Sequence, residues 1–205
     1  MKKSNIALWD TDTQNDVLLK SSKFAVPGGY RLMENFGKAI KYFEKKGVII
    51  MGSVDSHISY EGYPGTRDEH LPLHCIKGTT GQLKVKSTQG DILYVSDQKY
   101  HNDALDMIVE EIKKGKRVYF EKQKQKCETN PNIAYIFKKL NIKTIYIIGA
   151  LTNVCVKYAD EYFKKLGIQT YLVENAIIGH DFPGDTEKGA IDEMIRKGTK
   201  LIRYK

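Results

Sequence analysis

Thr144-Ile-Tyr-Ile-Ile-Gly-Ala-Leu-Thr-Asn-Val-Cys155-Val156 decides the fold. A short apolar run, Thr144 to Ile148, passes through glycine into a polar Thr-Asn pair and on into a helical pattern. A run this short and this apolar reads as a strand buried on both faces, the habit of parallel sheets. The same transition recurs outward along the chain. Upstream lie strands at Ile6–Trp9, Val48–Ser53 and Val118–Phe120, and downstream at Gln169–Val173 and near Lys200–Ile202. Between them, apolar residues return at helical spacing, as in Leu32, Met33, Phe36, Ala39, Ile40 and Phe43, where Gly47 marks the stop. Further helices are read at Leu105–Ile112, at Ile133–Leu140, after Cys155 and near Glu187–Arg196. Strands alternating with helices predict an α/β, three-layer doubly wound fold with a mainly parallel sheet of about six strands. The exception is the segment from Asp55 to about Gln89, which is rich in Gly, Pro, Thr and His and has no sustained period. A loop of that length inside a domain usually carries function.

The 205 residues suit one domain with a real core, and residues 1–205 are read as a single unit. With 41% hydrophobic and 28% charged residues, the chain lies outside the disordered regime. A net charge of +8 admits anionic partners, nucleic acid among them. The lysine-rich stretch Lys113–Lys126 crosses a helix end, a turn and a strand without a stacking set of aromatics. It therefore reads as a solvated helix end plus one functional lysine rather than a nucleic-acid patch. Cys75, Cys127 and Cys155 are too few and too widely spaced for a disulfide scaffold, which fits a reducing compartment. The run Ile6–Trp9 ends at Asp10, short of the roughly 7–15 residues of a signal-peptide core. No stretch approaches the roughly 18 apolar residues of a membrane span. A soluble, cytoplasmic protein with no membrane partner is expected.

Ligands of an open parallel sheet bind beyond the carboxyl ends of its strands, so polar residues just after strands are the informative ones. Asp10 and Asp12 follow the first strand, Asp55 and His57 the second, Lys122 the strand at Val118–Phe120, and Thr152–Cys155 the strand at Thr144–Ile148. Thr152 or Asn153 can cap a helix and leave Cys155 in its first turn, where the dipole and a nearby cation would favour thiolate. Free N–H groups of that turn could hold an oxyanion. Taken alone, the segment also allows Cys155 to be a small residue packed beneath the helix. Asp12 is a candidate base, and Lys122 could stabilise both Asp12 and the thiolate. Asp55-Ser-His57, with His74 further along the loop, offers a carboxylate and two imidazoles to Zn²⁺, Fe²⁺ or Mn²⁺. Glu61, Asp68 and His70 could add a ligand or be plain loop residues.

Asp12-Thr-Gln14-Asn15-Asp16, Asp55-Ser-His57, His74-Cys-Ile-Lys-Gly78-Thr79-Thr-Gly81, Glu121-Lys122 and Gly149-Ala-Leu-Thr-Asn-Val-Cys155-Val together resemble the isochorismatase-like cysteine hydrolases, most closely their nicotinamidase branch. The resemblance runs from about residue 5 to 202. It implies a catalytic triad of Asp12, Lys122 and Cys155, and a divalent metal, zinc first among candidates, at Asp55, His57 and His74. It also implies a non-proline cis peptide at Ala150-Leu151, with the backbone N–H groups of Leu151 and Cys155 turned to the oxyanion. Asp10 then becomes a strand-end or loop residue, and Asp16 orders the loop. The implied reaction is hydrolysis of a small carboxamide, with nicotinamide turnover in NAD metabolism as the model case and a homo-oligomer as the usual assembly. Isochorismatase proper lacks the nucleophilic cysteine, and the carbamoyl-amide hydrolases generally lack the metal set.

Two positions depart from the pattern. Nicotinamidases typically place Phe directly after the Q-N-D block and Trp three residues before the metal histidine, as walls for the pyridine ring. Here these substrate-pocket positions are Val17 and Leu71. Stacking is worth about 0.5–1.5 kcal/mol beyond area burial, so their loss bears on substrate choice more than on reaction class. Other readings are an amidase of the same superfamily acting on a non-pyridine or carbamoyl substrate, a metal-centred hydrolase with a structural Cys155, and a basic metal- or nucleic-acid-binding module.

Overall fold

Alternation along the first strand, β1 (Ile6–Thr11), sends Ala7 and Trp9 to one face and Leu8 to the other, and each face has its own core. The computed structural model describes residues 5–58 and 71–204. A short helix α1 (Asn15–Leu18) and a long helix α2 (Gly29–Lys45) return the chain to β2 (Ile49–Asp55). There follow β3 (Ile92–Val95), α3 (Asn102–Lys113), β4 (Arg117–Lys122), α4 (Ile133–Lys139), β5 (Thr144–Ala150), α5 (Lys157–Lys165), β6 (Gln169–Ile178), α6 (Glu187–Arg196) and β7 (Lys200–Ile202). All seven strands form one parallel sheet in the order β3-β4-β2-β1-β5-β6-β7.

Phe36, Ala39, Ile40 and Phe43 of α2 cover one face with Leu8, Ile50, Ile148 and Val173. Helices α3 to α6 cover the other face, where Trp9 stacks on Phe120 and meets the edges of Phe137 and Phe163. This is the expected three-layer architecture. The added strand is β3, whose half-exposed residues Ile92 to Tyr94 give it no buried apolar run to announce it. Among the described residues, no helix is long and apolar enough to cross a membrane.

From β1 the chain builds outward to β2 and then to β4 and β3, and it returns across the sheet to β5, so the strand order reverses between β1 and β5. A crevice opens beyond the carboxyl ends at such a reversal. Gly149 of β5 lies opposite Thr11 at this point, at φ 112°, and a Cβ there would fall 1.9 Å from the Thr11 carbonyl oxygen. Only glycine allows the two central strands to meet so closely where the site begins.

Asp10 takes the strand-end alternative, with β1 running two residues beyond Trp9. It is fully buried and forms an ion pair at 3.0 Å with the equally buried Lys84. The hydroxyls of Thr13 and Tyr119 donate to its carboxylate at 2.8 Å each. Lys84 thereby anchors residues 82–89 over the exit of β1, aided by backbone bonds from Asn15 to Leu83 and from Val85 to Thr13.

Candidate active site

Asp12 leaves β1 at φ 46°, a left-handed conformation that Asp tolerates better than most residues. Its backbone N–H donates to Ser53 O, and the Ser53 hydroxyl donates to its Oδ1 at 2.8 Å. Asp55 and Lys122 end neighbouring strands as register partners. Parallel pairing therefore carries three charged side chains to one rim. Lys122 Nζ lies 2.9 Å from Asp12 Oδ2 and 3.7 Å from Cys155 Sγ, and it donates to Asp55 Oδ1. Asp12 Oδ2 accepts no further hydrogen bond, so it is the oxygen with capacity for a proton.

Cys155 sits in a π-helical turn, Thr152–Val156, that continues into α5. Neither Thr152 nor Asn153 caps it; Leu151 is the capping position. The Thr152 hydroxyl donates instead to Glu187 Oε1, and Asn153 Nδ2 donates to the carbonyls of His180 and Asp185. These residues tie the turn to the loop before α6 and to its first residue, which is a stronger constraint than a local cap. The Ala150-Leu151 peptide is cis.

Burial works against the thiolate that the turn and a nearby cation would favour. It pushes the Cys155 thiol well above its ordinary range, with the Lys122 ammonium pulling it down and the Asp12 and Asp55 carboxylates adding to the rise. Burial likewise raises the Asp12 carboxyl against the pull of Lys122. Lys122 itself would be pushed down by burial, but the two carboxylates hold it well above the lysine range. Asp55 moves the other way: burial would raise it, yet Lys122, His57 and His74 keep it low.

His57 and His74 meet Asp55 beside this cluster. A parallel bridge between His57 and Ile76, with bonds from His57 N to Cys75 O and from Lys77 N to His57 O, brings the two loop arms together. Asp16 Oδ2 accepts from Cys75 N at 2.8 Å, in a space that any side chain at Gly81 would fill. One ligand atom from each of Asp55, His57 and His74 lies within 4.8 Å of the others. Burial lowers the pKa of His57 to about 4, leaving it neutral as ligation requires. A carboxylate with two neutral imidazoles fits zinc, iron or manganese. Asp12, Asp55 and Cys155 also lie within 4.8 Å of one another, but the Lys122 ammonium already stands among them and opposes a second cation there. Glu61, Asp68 and His70 lie outside the described residues.

These groups open on a cavity of about 310 Å³. Leu71, Leu151, Val154 and Cys155 line it, with Phe24 and Phe182 as its aromatic residues. Val17 does not reach it: α1 turns this side chain inward, where it is 2% exposed in the core against α2. Of the two departing positions, only Leu71 faces the pocket.

The model of the isochorismatase domain matches residues 7–204. The chain belongs to the isochorismatase family. Solved structures similar to this isochorismatase-family protein include a Pyrococcus horikoshii pyrazinamidase in complex with zinc, at TM-score 0.74 and 22% identity, covering 98% of this chain and 100% of that one. A Bacillus subtilis nicotinamidase aligns at TM-score 0.73 and 20% identity over 98% of this chain and 100% of that one. An N-carbamoylsarcosine amidase from Thermoplasma acidophilum aligns at TM-score 0.73 and 18% identity over 97% and 95%. A comparison with curated protein sequences finds no match. At these identities the structures share the isochorismatase-family fold.

Gln14 carries a contact set that its motif alone does not disclose. Its Nε2 donates to Asp55 O at 2.8 Å and Gln82 O at 2.7 Å, and its Oε1 accepts from Asp55 N at 2.8 Å. It thus clamps the end of β2 to the exit of β1. Gln14→Leu would strand these groups, and a loss of about 1–3 kcal/mol is expected in urea unfolding.

Proposed function

We propose that the protein is a metal-containing cysteine amidohydrolase, nicotinamidase-like, that converts a small carboxamide to the acid and ammonia through a thioester. The observation that carries this reading is a single buried ammonium, Lys122, held 2.9 Å from Asp12 Oδ2 and 3.7 Å from the Sγ of Cys155, a residue that lines the cavity.

A neutral thiol beside a carboxylate of raised pKa suits proton transfer at the moment of attack. Cys155 Sγ bonds to the amide carbon as its proton passes to Asp12 Oδ2, and the carbonyl electron pair moves to oxygen. Backbone N–H groups of Leu151 and Cys155 are assigned to that oxyanion. The carbon–nitrogen bond then breaks, Asp12 gives its proton to the departing nitrogen, and ammonia leaves a thioester. Asp12 next takes a proton from water as the water oxygen bonds to the acyl carbon. The carbon–sulfur bond breaks as Asp12 returns that proton to Cys155 Sγ, which restores the thiol and the carboxylate, and the acid departs. Throughout, the Lys122 ammonium offsets whichever of Asp12 and Cys155 carries negative charge. A divalent cation held by Asp55, His57 and His74, with zinc the first candidate, would supply a Lewis-acid contact that orients the substrate.

Identification of the substrate rests on ammonia release from nicotinamide, pyrazinamide, carbamoyl amides and aliphatic amides, each with and without prior chelation. We expect release from at least one flat heteroaromatic amide, falling by about tenfold or more after chelation and returning with added zinc. Activity confined to carbamoyl amides would move the substrate away from the pyridine class. Ammonia release from none of these amides would refute the amidase reading.

A further inference from the structure

His74 leaves a stretch of chain with neither helix nor strand to orient it, so the plane of its ring has to be imposed from outside. Three contacts impose it. The Pro72 carbonyl accepts from Nδ1 at 2.8 Å, which puts the proton on that nitrogen and leaves the Nε2 lone pair for a metal. The edge of His57 approaches at a centroid distance of 4.9 Å and 79°. Phe24 lies flat on the ring, with centroids 3.6 Å apart and planes 11° from parallel. The hydrogen bond selects the tautomer but leaves the ring free to swing about the bond axis. Phe24 blocks that swing over a full ring face.

Phe24 is itself held in place. Its N–H meets Ser22 Oγ at 3.2 Å, Ala25 N donates to Ser22 O, and Val26 N donates to Val17 O at 2.9 Å. It is half-buried and lines the same cavity as Cys155. Val17 and Leu71, where an aromatic wall is expected, are aliphatic, and Val17 is withdrawn into the core. The aromatic surface against His74 comes instead from the segment between α1 and α2.

We infer that Phe24 is a positioning residue of the metal centre, setting the plane in which His74 presents Nε2 alongside Asp55 and His57. This rests on the metal site of the proposed function but not on the amidase reaction. A ring that supports a ligand in this way affects affinity about as strongly as an outer-shell hydrogen-bond partner, about 10–100-fold.

The full-length protein, stripped by chelation, is titrated with Zn²⁺ against a chromophoric chelator, comparing wild type with Phe24→Leu and Phe24→Tyr. Leucine keeps apolar bulk and loses the flat face, and tyrosine keeps the face. We expect zinc affinity to fall about tenfold in Phe24→Leu and to stay within about threefold of wild type in Phe24→Tyr, with thermal unfolding of the metal-free forms alike. Equal zinc affinity in wild type and Phe24→Leu would overturn the inference, as would a loss equal in both variants. If Phe24→Leu fails to fold, Phe24→Met tests the same loss of the flat face. A wild-type protein that binds zinc tightly but hydrolyses no amide would remove the proposed reaction and leave Phe24's role to be decided by the same titration.

Discussion

Cys155→Ala is expected to lower ammonia release by about 10⁴-fold or more while bound zinc stays at the wild-type stoichiometry. The two readouts separate because the cysteine is the nucleophile of the proposed reaction, whereas the proposed ligands are Asp55, His57 and His74. Sulfur 3.7 Å from an ammonium and beside a carboxylate able to accept its proton has no role in holding a cation in this arrangement. Steady-state assays and metal analysis on the same preparation check both halves. Retention of full turnover would eliminate sulfur as the attacking atom and pass the chemistry to the metal. Loss of zinc together with turnover would show that the thiol is part of the metal site.

The second large effect is on stability. Lys84→Met removes the ammonium from a pair in which both side chains are fully buried, leaving the Asp10 carboxylate with hydroxyl donors only. Breaking a buried pair from one side costs about 3–5 kcal/mol, which for a protein of this size lowers Tm by roughly 6–20 °C. Differential scanning calorimetry of Lys84→Met, Asp10→Asn and the double variant Asp10→Asn/Lys84→Met is the check. The double variant should lose less than the two single losses combined, because its buried carboxylate is gone as well. A single variant as stable as wild type would mean that the pair makes no net contribution. Lys84 also pins residues 82–89 across the exit of β1, so the single variant should lose turnover at temperatures below its global unfolding.

The sequence discloses those features whose physics is local. Strands buried on both faces are continuous apolar runs, and for that reason β2, β4 and β5 could be read directly. β3 could not, since only Val95 is buried and Tyr94 remains 38% exposed at the sheet edge. Asp12, Asp55, His57 and Lys122 were legible because parallel strands deliver their carboxyl ends to one rim. His74 is a candidate by residue type alone, and the resemblance singles it out, for nothing nearby in the chain shows which loop arm turns back on His57. Phe24 was missed for the same reason: it acts on a residue fifty positions away, and no period or motif marks it. The turn that holds Cys155 speaks for thiolate by its dipole, but the burial that opposes thiolate is set by the packing of distant elements and has no mark in the turn itself. Asp10 reads as a strand-end or loop residue and lies at the end of β1, but its ion pair is not legible because Lys84 is far along the chain. Val17 is placed in the pocket by the resemblance, at the position where nicotinamidases carry Phe, but the turn of α1 faces it the other way.

Lys122 answers to two masters, the proposed base Asp12 and the proposed ligand Asp55. Proton transfer and cation capture are therefore not separable modules that a lineage could exchange one at a time. Trading Asp55 for a neutral residue would leave the ammonium leaning on Asp12 alone and blunt the base, so divergence toward a metal-free descendant calls for paired substitutions on β2 and its neighbours rather than simple decay of the histidines.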